Sequence, residues 1–492
     1  MHTNWHFLQR LELFNRSNSR LLVDGRWGLE KESQRVTTSG ELAMTDHPAA
    51  FGHKLRNPHI TVDFAESQLE LITSPSASIE EAYEELNDIQ LHAEGELGEE
   101  LLWPLSMPPK LPDEDRIPLA RFGNSEEARE KELYRAGLSL RYGKKMQMVS
   151  GIHYNFSLGD GMLSFLHNHL GEGKDIQTFT DELYAAMARN FLRYRWLLIY
   201  LFGASPSIDS SYYSVMCQEL KHVARCCPEC CSPISNYEKH AVSLRVSRFG
   251  YSRAPQGNST LIFNSLQDYT MGIRKLLSIK SNKFSRMGTH QNGKKIQLND
   301  HILQKESEFY SSIRLKQVAE AGESQLDALE ARGVKYIEVR ILDLNPFYKT
   351  GMDLNQLYFL QTFMLYCLME DSGVISKEED HVMNKNHHFV SLLGGKPSLK
   401  LYPYNRDTVP LQEWAKEIFD KLKPIASVID MADNSSKYQS SIEEQYKKVL
   451  DPSLLPSARI RKEMEENNES YLDFGTRWAQ TNKSRRDERC TV

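Results

Sequence analysis

The sequence of 492 residues lacks a long apolar run and lacks an excess of charge of one sign. Its most apolar stretch, WLLIYLF at 196–202, is far shorter than the ~20 residues that a bilayer helix needs. Lysine and arginine number 60 against 66 aspartates and glutamates, and the net charge of −6 argues against broad binding to nucleic acid. We therefore expect a globular protein with no membrane segment and no nucleic-acid partner.

An export signal and a disulfide framework are also missing. The first twenty residues carry polar and charged side chains throughout, without the ~7–15-residue apolar core of a secretory signal. The seven cysteines are odd in number, and five of them lie between Cys217 and Cys231. Cys227 and Cys230 have the spacing of a zinc pair, but no second well-spaced pair accompanies them. We expect a cytoplasmic protein with a reduced, irregular segment over 203–240, with zinc binding and redox sensing as alternatives.

The familiar nucleotide motifs are absent as well. The sequence contains neither a GxxxxGK[ST] loop nor a GxGxxG after a strand, and neither a GxSxG elbow nor a kinase signature set. If the protein uses ATP, its phosphates must therefore be held by metal ions and arginines rather than by a glycine-rich loop.

What the sequence does have is a recurring pattern of short segments with one polar face. Side chains alternate between the two faces of a strand, so residues two apart share a face. Five segments place acids, a histidine or an arginine on one face and apolar residues on the other: 26–32 with Glu30 and Glu32, 60–72 with Asp63 and Glu70, 152–157 with His153, 242–247 with Arg245, and 336–341 with Glu338 and Arg340.

For any one segment, a solvated sheet face explains this pattern equally well. However, the polar set is dominated by carboxylates, and predicted helices at 78–102, 177–202 and 353–370 can cover the apolar side. Two like charges ~4 Å apart repel by about 4 kcal/mol at an effective dielectric of 20, and divalent cations relieve that repulsion. Oxygen ligands select Mg²⁺ or Mn²⁺, and arginines clamp phosphate or carboxylate oxygens. The pattern predicts metal-assisted phosphoryl chemistry on a curved sheet.

Several longer segments resemble one known family. They are GLEKE (28–32), TVDFAESQLELIT (61–73), WPLSMP (103–108), LYRAGL (133–138), GIHYNFSL (151–158), LFGASP (201–206) and YIEVRILDLNPF (336–347). In this order they closely resemble the glutamate–cysteine ligase family in its proteobacterial type, from about residue 10 to about residue 460.

The resemblance implies a fold and a reaction. The fold would be α+β and glutamine-synthetase-like, with a curved, mainly antiparallel sheet forming a funnel and helices on its outer face. The enzyme would be an ATP-dependent, ADP-forming ligase that joins L-glutamate to L-cysteine through a γ-glutamyl phosphate, the first step of glutathione biosynthesis. Its cofactor would be Mg²⁺ or Mn²⁺, with ATP as co-substrate, and other members of this type suggest a monomer.

The resemblance also assigns residues to roles. Metal ligands would be Glu30, Glu32, Asp63, Glu70, His153 and Glu338, and Arg340 would contact phosphate, so that Glu338 and Arg340 form the catalytic pair. The substrate pocket would be lined by Tyr134, Arg135, Arg245, Tyr251 and Tyr310.

The sequence departs from the family beside the predicted pocket. Where the family usually has Ser-Asp-Leu-Gly-Tyr, this chain has Ser-Arg-Phe-Gly-Tyr at 247–251, so Arg248 reverses a charge. This leaves two alternatives open, a related carboxylate–amine ligase with another amine acceptor and a non-catalytic nucleotide-binding protein of the same fold. We expect one catalytic domain over 1–480 and a polar tail over 481–492.

Overall fold

The computed structural model of the protein describes residues 5–14, 18–218, 239–250 and 260–485. Its centre is a seven-stranded sheet in which β2, β3, β1, β5, β9 and β8 are neighbours in that order, with β4 also paired to β1. Every pairing in this sheet is antiparallel. Its strands are β1 (Gly25–Val36), β2 (Ile60–Val62), β3 (Gln68–Ile72), β4 (Leu101–Leu102), β5 (Ile152–Leu158), β8 (Ile313–Lys316) and β9 (Tyr336–Leu342). Two small hairpins are β6 (His290–Gln291) with β7 (Lys294–Lys295) and β10 (Lys400–Leu401) with β11 (Val409–Pro410).

Helices accompany the sheet, and some of them pack on its apolar side. The first five are α1 (Trp5–Glu12), α2 (Ile79–Glu96), α3 (Glu126–Tyr142), α4 (Asp160–Leu170) and α5 (Ile176–Phe202). The later ones are α6 (Leu266–Ser278), α7 (Asn282–Met287), α8 (Gln325–Arg332), α9 (Leu354–Met369), α10 (Lys377–Leu393), α11 (Leu411–Asp433), α12 (Lys437–Leu450), α13 (Pro456–Glu466) and α14 (Tyr471–Ser484). α2 packs on β1 and β3, α5 packs on β8 and β9, and α9 packs on α2 and α5. In the ranges that the structure covers, no helix combines the length and the apolarity needed to cross a membrane.

The alternation that the sequence predicted is present in three of the five segments, 26–32, 152–157 and 336–341. The predicted strand-like segment 60–72 is instead a hairpin of β2 and β3, with Glu70 on β3 and Asp63 in the connection between the two strands. Tyr154, Phe156, Ile337 and Val339 are buried on the helix-covered face. The opposite face carries the acids and His153, because residues at intervening positions point the other way. The apolar face gains its stability from burial against α2 and α5, and this leaves the polar face available as the wall of a site.

The predicted strand at 242–247 is wrong. The segment forms consecutive turns that are held by serine side chains: Ser247 Oγ donates to the Leu244 carbonyl at 2.7 Å, and the Phe249 N–H donates to Ser247 Oγ at 3.1 Å. Serine hydroxyls compete in this way with the hydrogen bonds of a sheet. Val242, Leu244 and Arg245 are all buried, so the alternation in the sequence does not correspond to two faces.

Two helices begin close to the predicted residues, but one of them ends earlier than predicted. Asp353 caps α9 by accepting from the Gln356 N–H at 2.8 Å. Ser78 caps α2, but this helix ends at Glu96 rather than at residue 102, because Leu101 and Leu102 pair with β1 as β4.

The C-terminal helix continues beyond residue 481, where the sequence predicted a tail. α14 ends at Ser484, and its last turn is anchored: Asn482 donates to the Pro346 carbonyl at 3.0 Å, and Lys483 Nζ donates to the Glu100 carbonyl at 2.7 Å. Within the predicted irregular segment 203–240, residues 213–218 are helical. The cluster Cys226–Cys231 lies outside the described residues.

A lysine interrupts the apolar face of β1. Lys31 is buried at 3% exposure, and its Nζ donates to Gln90 Oε1 at 2.5 Å and to the Lys349 carbonyl at 3.0 Å. Nearby, Lys349 Nζ pairs with the Glu94 carboxylate at 2.7 Å. Burial lowers the pKa of Lys31 to about 7, although the negative charge of Glu94 opposes that effect.

This burial predicts a pH dependence of stability. Between pH 7 and the ordinary pKa of 10.5, the unfolded chain binds a proton on Lys31 that the folded chain does not. The contribution of Lys31 to stability is therefore full above 10.5 and is lost as pH falls towards 7. Lys31→Met has no group that titrates here, so the free energy of unfolding of this variant should lack the pH dependence that Lys31 gives the wild type. Between pH 7 and 10.5 that dependence is of the order of 4 kcal/mol. Urea unfolding at pH 7, 8.5 and 10 measures it, and parallel profiles for the two proteins would contradict it.

Candidate active site

Strand register brings the predicted acids into one row on the polar face. Glu32 on β1 lies opposite Glu70 on β3, and Glu30 lies opposite His153 on β5. The row continues where Asn155 on β5 lies opposite Glu338 on β9. Residues far apart in sequence are therefore cross-strand neighbours, and paired positions of an antiparallel sheet share a face.

His153 stands at the centre of this row and is almost fully buried. Its Nδ1 lies 2.9 Å from Glu30 Oε2 and 3.6 Å from Glu338 Oε1, while its Nε2 lies 3.7 Å from Glu32 Oε1. The ring therefore faces carboxylates on both sides. Asn155 fixes Glu30 from a second direction by donating to Glu30 Oε1 at 2.9 Å.

The end of the row at β1 and β3 has an excess of negative charge. Burial, followed by repulsion from Asp63, Glu30 and Glu32, raises the pKa of Glu70 well above its ordinary value. Burial and the charge of Asp63 also raise the pKa of Glu32, although His153 opposes the rise. At this end of the row, burial and repulsion therefore favour the protonated form of Glu32 and Glu70.

The end at β9 and β8 has the opposite balance. Burial alone would raise the pKa of Glu338, but the positive charges of Arg340, Lys316 and Arg314 outweigh burial and lower it. Arg340 NH1 lies 2.5 Å from Glu338 Oε1, and the other two cations lie 3.8 and 3.9 Å from Oε2. The sequence reasoning missed Arg314 and Lys316, although both occupy alternate positions of IRLK, a signal of the same kind as the one it used.

A cavity of about 310 Å³ opens over the row. Tyr134, Arg135 and Tyr310, three of the predicted substrate residues, line it. They do so together with Arg340, His153 and the acids Glu30, Glu32, Asp63 and Glu70. Arg135 stacks on Phe122 with its guanidinium 4.5 Å from the ring centre. The Tyr310 hydroxyl donates to Gln147 Oε1 at 3.0 Å. Further lining residues that the sequence reasoning did not name include Lys131, Met146, Gln147, Lys305, Ser307 and Arg314.

Arg245, by contrast, is not among the residues that line this cavity. It is 1% exposed, it donates to the Leu342 carbonyl at 3.2 Å and to the Arg340 carbonyl at 3.3 Å, and it faces Asp343 at 3.6 Å. A Cβ on Gly151 would overlap the end of the Arg245 side chain, so a larger residue there would displace the guanidinium. The guanidinium donates to the backbone of β9, and the predicted substrate contact of Arg245 stays a prediction. Tyr251 lies outside the described residues.

Arg248 is the residue at which this chain departs from the family pattern. Arg248 is half-buried and lies near His388 on α10, where burial and the charge of Arg248 lower the pKa of His388 to about 3. Arg248 is not among the residues that line the cavity over the row.

Two overlapping groups of side chains have the composition and spacing of a metal site. Glu30, His153 and Glu338 form one group, and Glu32, Glu70 and His153 form the other, with the candidate ligand atoms of each group within 4.8 Å of one another. His153 Nε2 and Glu338 Oε2 are buried and have no hydrogen-bond partner among the described residues. Buried polar atoms without partners are rare in proteins, and carboxylate oxygens with one imidazole suit Mg²⁺ or Mn²⁺.

Comparison with known proteins agrees with this geometry. The family model described as glutamate-cysteine ligase matches residues 11–390, well over half of the chain. The chain belongs to the glutamate–cysteine ligase family. A protein named glutamate–cysteine ligase from Clostridium acetobutylicum is 50% identical over 479 residues, which cover 97% of this chain and 100% of the relative. One from Pseudomonas syringae pv. syringae is 40% identical over 476 residues, which cover 96% of this chain and 87% of the relative.

Solved structures lead to the same family. The glutamate–cysteine ligase of Francisella tularensis, solved in complex with AMP, is 33% identical and superposes with a TM-score of 0.82 over 94% of this chain and 89% of that one. A bifunctional glutathione synthetase from Pasteurella multocida is 29% identical, with a TM-score of 0.75 over 97% of this chain and 54% of that one. The expected glutamine-synthetase-like α+β fold is confirmed, and so is the expectation of an ATP-dependent ligase of glutathione biosynthesis.

The excess charge near β3 predicts a gain in stability when it is removed. A carboxylate whose folded pKa is raised loses its contribution to stability as pH rises from about 4.5 through the folded pKa. Glu70→Gln keeps the volume but cannot ionise, so it should raise the thermal midpoint of the metal-free protein at neutral pH by about 2–4 °C. The gain should shrink as pH falls towards 4.5, because below that pH Glu70 is mostly protonated in both states.

Thermal melts in EDTA from pH 4.5 to 8, with and without Mg²⁺, measure this effect. Mg²⁺ should stabilise the wild type more than Glu70→Gln, because the cation relieves the same repulsion. A variant that is less stable than the wild type at every pH would show that Glu70 is not under charge repulsion.

Proposed function

We propose that the chain joins the γ-carboxyl group of L-glutamate to the amine of L-cysteine, with ATP converted to ADP and phosphate through a γ-glutamyl phosphate. The observation that carries this proposal is the single polar row, in which carboxylates and His153 lie beside Arg340, Arg314 and Lys316, with one cavity over the row. A carboxylate is a poor electrophile, and a site with these groups can activate it by phosphorylation.

The divalent cations belong to the row of acids. Glu30, His153 and Glu338 would hold one, and Glu32 and Glu70 would hold another. Asp63 lies close to the second pair and would complete it, with Mg²⁺ as the first candidate and Mn²⁺ as the second. When bound, such cations neutralise negative charge on a transferring phosphoryl group. Their attraction also allows Glu70 and Glu32 to ionise at neutral pH, which burial and repulsion otherwise oppose.

The phosphates and the nucleoside of ATP are assigned to the β8 end. Arg340 and Arg314 present guanidinium groups there, and these bind phosphate oxygens in pairs. A second cavity of about 390 Å³ shares Lys305, Ser307 and Arg314 with the first and has an otherwise largely apolar wall. The adenosine moiety fits this wall, which contains Tyr269, Ile273, Leu277, Leu326 and Leu329.

The amino acids are assigned to the opposite side of the cavity. Arg135 offers a fixed guanidinium for a substrate carboxylate, since its ring contact with Phe122 and its bond to the Asp63 carbonyl orient it. Tyr134 and Tyr310 supply hydroxyl groups on the same wall. The glutamate γ-carboxyl would then point towards Glu338 and Arg340, where phosphoryl transfer takes place.

We also propose that residues 1–480 act as one catalytic domain, a cytoplasmic monomer. Packing of the C-terminal helices onto the centre of the chain supports this organisation: the Tyr471 hydroxyl donates to the Met107 carbonyl at 2.6 Å, and Gly475 packs on Trp103.

Two isosteric substitutions test the role of the row. Glu32→Gln removes a charge that is repelled, whereas Glu338→Gln removes a charge that three cations attract. We expect both variants to lose ADP release by about 10²-fold or more, because each removes charge from the site of phosphoryl transfer. We expect their thermal midpoints to move in opposite directions, upward for Glu32→Gln and downward for Glu338→Gln.

Coupled ADP release with glutamate, Mg²⁺ and a panel of amine acceptors measures this activity. Glu417→Gln, a carboxylate paired with Arg406 on the surface of α11, is the matched control and should keep wild-type turnover. Near-normal turnover of either row variant would contradict the assigned site. Stimulation by another amine but not by cysteine would instead point to a related carboxylate–amine ligase.

A further inference from the structure

A buried carboxylate outside the row connects two loops beside the cavity. Glu66, in the turn between β2 and β3, is 2% exposed and accepts three hydrogen bonds. Its Oε1 accepts from the His47 N–H at 3.0 Å and from Lys54 Nζ at 2.5 Å, while its Oε2 accepts from the Arg121 N–H at 2.9 Å. Both oxygens are thus engaged by donors from loops that are distant in sequence, and removing one partner of such a network is costly.

One of these loops ends at a residue that supports the cavity. Backbone hydrogen bonds join the 64–66 turn to the 118–120 segment, from the Glu66 N–H to the Pro118 carbonyl and from the Ala120 N–H to the Phe64 carbonyl, each at 3.0 Å. Arg121 follows, held by the Glu66 carboxylate, and the next residue is Phe122. The position of the Phe122 ring therefore depends on Glu66.

Phe122 in turn supports the guanidinium of Arg135. The Arg135 Cζ lies 4.5 Å from the centre of the ring, a distance that fits a cation–π contact. The Phe122 N–H donates to Glu132 Oε1 at 2.6 Å, which ties the ring to the same helix, α3. Arg135 Nε also donates to the Asp63 carbonyl, three residues before Glu66 in the same turn. Within α3, Arg135 NH1 also donates to the Lys131 carbonyl at 3.0 Å. The Phe122 ring and the Asp63 carbonyl are thus two of the supports of Arg135, and both belong to segments that contain Glu66 or are hydrogen-bonded to it.

Two lysines place further positive charge beside the Phe122 ring and Arg135. Lys54 Nζ lies 5.9 Å and Lys131 Nζ lies 5.7 Å from the centre of the Phe122 ring, so three cations share one aromatic side chain. Glu66 neutralises Lys54 directly. Without that carboxylate, the buried charge of Lys54 would repel Arg135 and would be free to move towards the acids of the cavity.

We propose that Glu66 is a positioning residue that fixes Arg135 through Phe122 and the Asp63 carbonyl, and thereby sets the affinity for the substrate carboxylate that Arg135 binds. This inference rests on the proposed function, in which Arg135 contacts an amino-acid substrate. It makes Glu66 a determinant of substrate binding although it touches neither substrate nor metal.

Glu66→Gln is the sharpest test. Glutamine retains one acceptor oxygen, but its NH₂ group must face a donor in either orientation, because Glu66 accepts on both oxygens. We expect the KM for one amino-acid substrate to rise about 5–20-fold, with the KM for ATP unchanged and kcat within about 3-fold, the pattern of lost ground-state binding. Steady-state kinetics with each of the three substrates varied in turn provides these values.

Asp430→Asn is the matched control. Asp430, on α11, is also 2% exposed and also accepts on both oxygens: its Oδ1 accepts from the Tyr438 N–H at 3.1 Å, and its Oδ2 accepts from the Gln439 N–H at 2.9 Å. We expect this variant to lose a similar amount of thermal stability while all three KM values stay at wild-type levels. Equal changes in KM for both variants would overturn the proposal, since they would indicate a merely structural role.

A double-mutant cycle with Arg135→Met distinguishes failure of the proposal for Glu66 from failure of the proposed function. If Glu66 acts through Arg135, adding Glu66→Gln to Arg135→Met should raise KM by less than 2-fold further, whereas full additivity would overturn the proposal. Should Arg135→Met leave both amino-acid KM values unchanged, the assignment of Arg135 in the proposed function would fail instead. Wild-type protein that releases no ADP with glutamate and cysteine would contradict the proposed function itself.

Discussion

Mutual repulsion among buried carboxylates is the constraint on which the rest of the structure depends. Glu32 and Glu70 lie directly opposite each other on neighbouring strands, with Asp63 and Glu30 nearby, and the pKa of Glu70 is raised well above its ordinary value as a consequence of burial and these charges. An antiparallel sheet can hold such an arrangement because its opposite face is stabilised independently, by burial of residues such as Tyr154 and Val339 against helices. The unfavourable charge is thereby confined to the one face where cations can relieve it.

The charge along the row is also asymmetric, with an excess of negative charge at one end and of positive charge at the other. At β1 and β3 the negative charge is in excess, whereas at β9 and β8 Arg340, Arg314 and Lys316 surround Glu338 and lower its pKa. His153 lies between the two ends and faces carboxylates on both sides. An anionic, metal-chelated nucleotide is complementary to such a gradient of charge, because its cations meet the acids while its phosphates meet the guanidinium groups. In the proposed function, Arg135, which lines the same cavity, binds a substrate carboxylate.

Period-two alternation was enough to predict most of the row, because Glu30, Glu32, Glu70, His153 and Glu338 lie in regular strands where sequence spacing determines the face. It failed at Arg245, where serine hydroxyls replaced sheet hydrogen bonds with turns and where the guanidinium was buried against β9. It also missed Arg314 and Lys316, since a four-residue strand offers too little pattern to stand out. The spatial order of the strands and the role of Glu66 depend on long-range pairings that no local pattern encodes, and the family resemblance, not periodicity, supplied the reaction.

The most direct test of the account is crystallographic: anomalous scattering from crystals grown with Mn²⁺ and a non-hydrolysable ATP analogue. The account predicts manganese peaks within about 2.0–2.4 Å of carboxylate oxygens in the row, one shared by Glu30, His153 and Glu338 and another beside Glu32 and Glu70. It also predicts the triphosphate against Arg340 and the adenine in the cavity next to Tyr269. Manganese bound elsewhere, with the row still metal-free in the presence of the nucleotide, would contradict it.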